Sequence, residues 1–101
     1  MTSYCRIAFT NPLTSAHAVE QKFQILNAVA EYDHVELDIS GSADMDGSGL
    51  QLLVMFRSAL LHAGKCGAIT HPRPAVREAV EFLRMGELFA AVAPEAQHGV
   101  A

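Results

Sequence analysis

Leu37-Asp38-Ile39-Ser40-Gly41-Ser42-Ala43-Asp44-Met45-Asp46-Gly47-Ser48-Gly49-Leu50 is the stretch on which the reading of the fold turns. Its first residues belong to a run, 34–40, in which Val35, Leu37 and Ile39 alternate with polar residues. That is the period of a strand with one face buried. Its last residues open an apolar run that reads as a helix over 46–63, with Gly64 as its C-terminal stop. Residues 41–45 form the turn between them. Asp46 stands where a helix N-cap belongs: its carboxylate can accept first-turn N–H bonds and lies at the positive end of the helix dipole. Gly47, Ser48 and Gly49 leave that turn sterically bare, so another surface can approach its backbone.

Upstream, residues 4–9 alternate as a short strand that Asn11-Pro12 breaks. Thr14 or Ser15 is expected to cap a helix over 15–30, in which Val19, Phe23, Leu26 and Ala30 make an apolar stripe with Ile25 and Val29 beside it. Downstream, residues 65–70 read as a weakly marked strand, and His71-Pro72-Arg73-Pro74 as a rigid loop with Pro74 suited to a first helical turn. A third helix is expected over 75–85, with Val76, Ala79, Val80 and Leu83 on one face and Gly86 as its stop. Residues 88–92 add a last strand or turn, and 94–101 read as a frayed tail. The order β–α–β–α–β–α with short connections predicts an α/β domain, a sheet covered by helices, over residues 1–101.

Composition narrows the function. Half of the 101 residues are apolar and 18% are charged, which excludes a disordered chain and fits one modest core. No apolar run reaches the ~18–20 residues of a membrane span, and the opening Met1-Thr2-Ser3-Tyr4-Cys5-Arg6 lacks the pattern of a signal peptide. The expected location is the cytoplasm, without direct membrane insertion. Six carboxylates (Glu31, Asp33, Glu36, Asp38, Asp44 and Asp46) fall between residues 31 and 46 without a Lys or Arg, the reverse of a nucleic-acid footprint. Cys5 and Cys66 are too few and too far apart to imply a disulfide framework or zinc site. His17, His34, His62, His71 and His98 form no ligand motif, and no nucleophile, base and orienter assemble in sequence. The reading is therefore no enzyme, no metal and no cofactor.

Three readings fit the turn at Asp46. It is an ordinary capped helix, a phosphate cradle, or a protein-docking or phospho-switch site. The cradle is the weakest, because the P-loop Lys-Ser/Thr is missing and the neighbouring carboxylates repel an anion. In the helix that follows, Ser48, Gln51, Ser58 and His62 form a narrow polar stripe broken by Met55, and apolar residues fill most of the remainder. Either the helix is buried on two sides, or Leu52, Met55, Phe56 and Ala59 meet a partner or a second copy of the chain.

The strand Val35-Glu36-Leu37-Asp38, the turn into Asp46-Gly47-Ser48-Gly49-Leu50, the helix end Ala63-Gly64-Lys65, and Pro74-Ala75-Val76-Arg77 before Met85-Gly86-Glu87-Leu88-Phe89 together resemble the STAS family. This is the domain of bacterial anti-sigma factor antagonists, found also at the cytoplasmic ends of sulfate transporters. The resemblance covers roughly residues 35–89, and residues 1–33 match less well because the family opens with a longer hairpin. It implies a small mixed sheet covered by helices and a partner switch in transcriptional signalling. The implied partner is a serine kinase that is itself an anti-sigma factor. The alternatives are the ATPase of a lipid-transport complex, with this chain as accessory subunit, and a chemotaxis-type signalling module. The implied docking surface is Ser42, Asp44, Asp46, Gly47, Ser48, Gly49, Leu52, Met55 and Phe56. The family's phosphoacceptor follows the Asp directly, where this chain has Gly47. Either Ser48, turned about 100° around the helix, has taken that role, or the turn is not phosphorylated. The missing hydroxyl at position 47 favours the second.

Overall fold

The computed structural model describes residues 2–93. Three strands, β1 (Tyr4–Ala8), β2 (His34–Asp38) and β3 (Cys66–Thr70), alternate with α1 (Ala18–Glu31), α2 (Gly47–Ala63) and α3 (Pro74–Phe82), and a 3-10 turn follows at Gly86–Phe89. The sheet order is β1-β2-β3 and both pairings are parallel. The one antiparallel element among the described residues is a single bridge, Gly67 with Val92, which stands where a last strand is expected. The expected tail at 94–101 lies outside the described residues.

Chain order and strand order coincide, so both crossovers step the same way. With the right-handed connection that parallel strands require, α1 and α2 then fall on one face of the sheet. Burial agrees. Val35, Leu37, Gly67 and Ile69 are buried on that face, with Cys5 and Ile7 partly so. Leu52, Leu53, Phe56 and Leu60 of α2, Ile25, Ala28 and Val29 of α1, and Val76 and Val80 of α3 join them in the core, with Phe9, Leu13, Ile39, Leu88 and Val92 from the connecting segments. The other face carries Tyr4, Arg6, His34, Glu36, Asp38 and Thr70, and none of the apolar core.

Two expectations about α1 are corrected. It begins at Ala18, its N-cap is His17, and no side chain caps it; neither Thr14 nor Ser15 does so. Its apolar stripe also faces outward, with Val19 71% and Phe23 64% exposed, while Gln21, Ile25, Ala28 and Val29 are buried. Two stripes of helical period compete along this segment. The winning one conceals a Gln, whose Nε2 donates to the Pro12 carbonyl at 3.2 Å while its Oε1 is buried without a hydrogen-bond partner among the described residues. α3 likewise buries Val76 and Val80 but leaves Ala79 and Leu83 exposed, and it stops short of the expected 85. For α2 the expectation holds: Asp46 is the N-cap, and Gly64 ends the helix at φ 67°. No helix of the described residues is long and apolar enough to cross a membrane.

Helix α2 lies close on β3 because Gly67 has no side chain. A Cβ there would meet Val35 O at 2.2 Å and Leu60 Cδ1 at 2.7 Å. Gly67→Ala is expected to destabilise the domain by about 1–3 kcal/mol or more, read as a fall in the urea midpoint with unchanged slope.

Candidate functional site

The turn between β2 and α2 is built from inside outward. Ser42 is fully buried, and its hydroxyl donates to Asn11 O at 2.9 Å, tying the turn to the loop after β1. Leu13 N–H donates to Asp44 O at 2.9 Å, and Asp46 N–H to Leu13 O at 3.0 Å. The Asp46 carboxylate then closes the joint. Its Oδ1 accepts from Gly49 N–H and its Oδ2 from Ser15 N–H, both at 3.1 Å. One side chain thus caps α2 and also holds the segment leading into α1. These N–H groups, Ser15 first and Gly49 second, keep the Asp46 carboxyl below the usual aspartate range, against a smaller opposing effect of desolvation.

The glycines divide the labour. Gly49 is buried, and a Cβ on it would lie 1.9 Å from Leu13 O and 2.6 Å from Leu13 C, so this residue allows the helix to press on the loop. Gly47 faces nothing within 4 Å. The first turn of α2 is therefore pinned on one side and open on the other.

The expected docking residues accordingly separate. Asp44, Asp46 and Gly47 are exposed at the turn, and Ser48 and Met55 are half-buried. Ser42, Gly49, Leu52 and Phe56 point inside, Leu52 and Phe56 being part of the core. Ser48, Gln51, Met55 and the edge of largely buried Leu52 line a groove of about 380 Å³ shared with Val19 and Lys22 of α1. A second groove of about 550 Å³ continues along Leu26, Leu50, Val54, Met55, Ala59 and Met85. Val19, in the first groove, and Leu26, in the second, thus extend the surface onto α1. Their helical spacing is visible in the sequence, but it reads there as a core stripe.

A separate polar network occupies the helix-free sheet face. Arg6 pairs with Asp38 and lies 3.7 Å from Glu36 Oε2. Tyr4 and Thr70 hydroxyls donate to Glu36 at 2.5 and 2.6 Å, and Ser40 N–H donates to Asp38 Oδ1 at 2.8 Å. The Thr70 and Tyr4 hydroxyls lower the carboxyl of Glu36, and the Ser40 N–H lowers that of Asp38.

A family model described as "Mlab, STAS domain" matches residues 3–91. The chain belongs to the STAS-domain family. No curated protein matches it. Among solved structures, this STAS domain is similar to SpoIIAA, named as an anti-sigma factor antagonist, in its unphosphorylated form (TM-score 0.63, 18% identity, covering 81% of this chain and 77% of that one). It is similar also to the phosphorylated form of SpoIIAA, the Bacillus cell fate determinant (TM-score 0.64, 18% identity, covering 100% of this chain and 94% of that one). The fold is thus that of SpoIIAA: an open three-stranded sheet with three helices.

Two outcomes are expected of this joint. Gly49→Ala should cost about 1–3 kcal/mol or more, whereas Gly47→Ala, in open space within a helix, should gain about 0.5–1 kcal/mol, both by urea denaturation. Asp46, Asp38 and Glu36 have folded-state pKa values below their unfolded ones. Their stabilisation is therefore fully present above the unfolded values near 4 and is lost as pH falls through the folded ones. Asp46→Asn should flatten part of the acid limb of stability below about pH 4, read from melting temperature against pH.

Proposed function

We propose that this STAS domain is a non-enzymatic regulatory module of the anti-sigma factor antagonist type. It docks a protein partner in the cytoplasm through the 41–46 turn and the outer side of the first turns of α2. The observation that carries this reading is the contrast between the two glycines. Gly49 locks the inner side of the turn against Leu13, while Gly47 leaves the outer side without a neighbour. A sterically bare helix start that shares a groove with exposed Val19, and is pinned on its inner side, loses little conformational freedom when a partner covers it. The likeness to SpoIIAA, named as an anti-sigma factor antagonist and solved in phosphorylated and unphosphorylated forms, supports a partner of the anti-sigma factor class, and the family resemblance implies that this partner is a serine kinase.

A second reading has its own support. Gly47 offers no hydroxyl where the switch residue of such antagonists stands, and the family model bears the Mlab description. A constitutive accessory subunit of a lipid-transport ATPase needs the docking surface but not the switch.

Co-purification from the native cell separates the two partners. With a cognate kinase, intact mass should show phosphate on the wild type and none on Ser48→Ala if the switch has moved by one residue. Phosphate on neither favours the ATPase reading. Gly47→Asp should leave the fold intact, since the space is open and a first-turn carboxylate suits the helix dipole. It should weaken partner binding by about tenfold, or ~1.4 kcal/mol, by titration calorimetry. Unchanged affinity would remove the turn from the interface.

A further inference from the structure

The geometry points to a binding site for a first-row divalent cation of the Zn²⁺ type at Glu36, Asp38 and His71, on the face of the sheet opposite the helices. Glu36 and Asp38 are two residues apart on β2 and so share that face. His71 follows β3 directly, and β3 pairs in register with β2, Asp38 opposite Thr70. His71 stands at φ 57°, a left-handed conformation uncommon for a residue other than Gly.

One ligand atom from each of the three side chains lies within 4.8 Å of the other two. His71 Nδ1 is 3.8 Å from Asp38 Oδ2 and 4.0 Å from Glu36 Oε2. Tetrahedral coordination at the usual Zn–N and Zn–O lengths puts neighbouring ligand atoms about 3.4 Å apart. Closing the cluster onto an ion therefore needs shifts of roughly half an ångström for these two pairs. Water would fill the remaining position on the exposed side, where the His71 side chain is 66% accessible.

The carboxylates are already oriented. Tyr4 donates to Glu36 Oε1 and Thr70 to Oε2, Ser40 N–H donates to Asp38 Oδ1, and Glu36 Oε2 and Asp38 Oδ2 face His71. Such outer hydrogen bonds fix ligand geometry in metal sites. One imidazole with two carboxylates favours Zn²⁺ and its neighbours over Mg²⁺, which prefers all-oxygen octahedral surroundings. Neither the sequence spacing nor any His-based motif marks this set, because the third ligand arrives from another strand.

Arg6 is the resident competitor. Its guanidinium pairs with Asp38 Oδ2, an oxygen the cation would take, and its half-exposed side chain is free to swing into solvent as the ion binds. Removing this charge should therefore tighten metal binding, whereas it would only loosen a network whose role is structural.

The test is calorimetric titration of the full-length, tag-free, chelator-stripped protein with ZnCl₂ alone and with MgCl₂ alone. The expected result is one Zn²⁺ site and no Mg²⁺ binding. Glu36→Gln and His71→Gly should each weaken Zn²⁺ by about tenfold or more. Glycine at 71 accepts the positive φ, so the second variant removes the imidazole without straining the loop. Arg6→Gln should tighten binding, and His34→Gln, on the same face but outside the set, should leave it unchanged. Circular dichroism checks that each variant folds. Absence of a one-to-one Zn²⁺ site, indifference to both ligand variants, tighter Mg²⁺ than Zn²⁺ binding, or weaker binding in Arg6→Gln would each overturn the assignment.

Discussion

The Asp46 carboxylate is shared between two backbone donors that belong to different parts of the chain, Ser15 and Gly49. A helix N-cap ordinarily satisfies only its own first turn. Here the second oxygen ties down the segment that leads into α1, and α1 packs along α2 for much of its length. The same joint requires Gly49, since any side chain there would run into Leu13, and it requires Ser42 to be buried beneath the turn. One contact thus sets the angle of α2, the start of α1 and the shape of the surface between them.

The sheet presents a second constraint. Parallel sheets are usually covered on both faces and read as continuous apolar runs. In this chain β2 alternates strictly, and among the described strands the apolar core sits on one face only. The other face is neutralised by cross-strand pairing of Arg6 with Asp38 and Glu36, and by the hydroxyls of Tyr4 and Thr70. Asp38 is buried and Glu36 half-buried, so these partners satisfy carboxylates that the fold has largely withdrawn from water. They orient two carboxylates whose nearer oxygens lie 3.8 and 4.0 Å from His71 Nδ1. The two faces consequently carry different chemistry: an apolar groove and a bare helix start on one, a polar ligand-like cluster on the other.

The architecture is largely legible in the sequence, because its signals are local. Alternation at Val35, Leu37 and Ile39 marks a strand, and Asp46 and Gly64 bracket α2 through capping chemistry that involves only nearby backbone. The errors arose where partners are distant in sequence. Thr14 and Ser15 look like caps, yet the Ser15 N–H is held by Asp46 instead. Val19, Phe23 and Leu26 look like the core, yet Gln21, Ile25, Ala28 and Val29 take that place, with Gln21 bonded to Pro12. Leu52 and Phe56 are buried in the core, and the broad apolar arc of α2 packs against both α1 and β3.

By itself, the sequence determined the element order, the capped start and glycine stop of α2, and the missing hydroxyl at position 47, because each depends on residue type and short-range backbone chemistry. Tertiary structure alone decided which face of α1 is buried, which side of the Asp46 turn is exposed, and that Glu36, Asp38 and His71 converge. Each of these depends on which distant segment lies opposite a given side chain. Local periodicity and spacing cannot specify that partner, whereas strand register and the close approach permitted by Gly49 and Gly67 do.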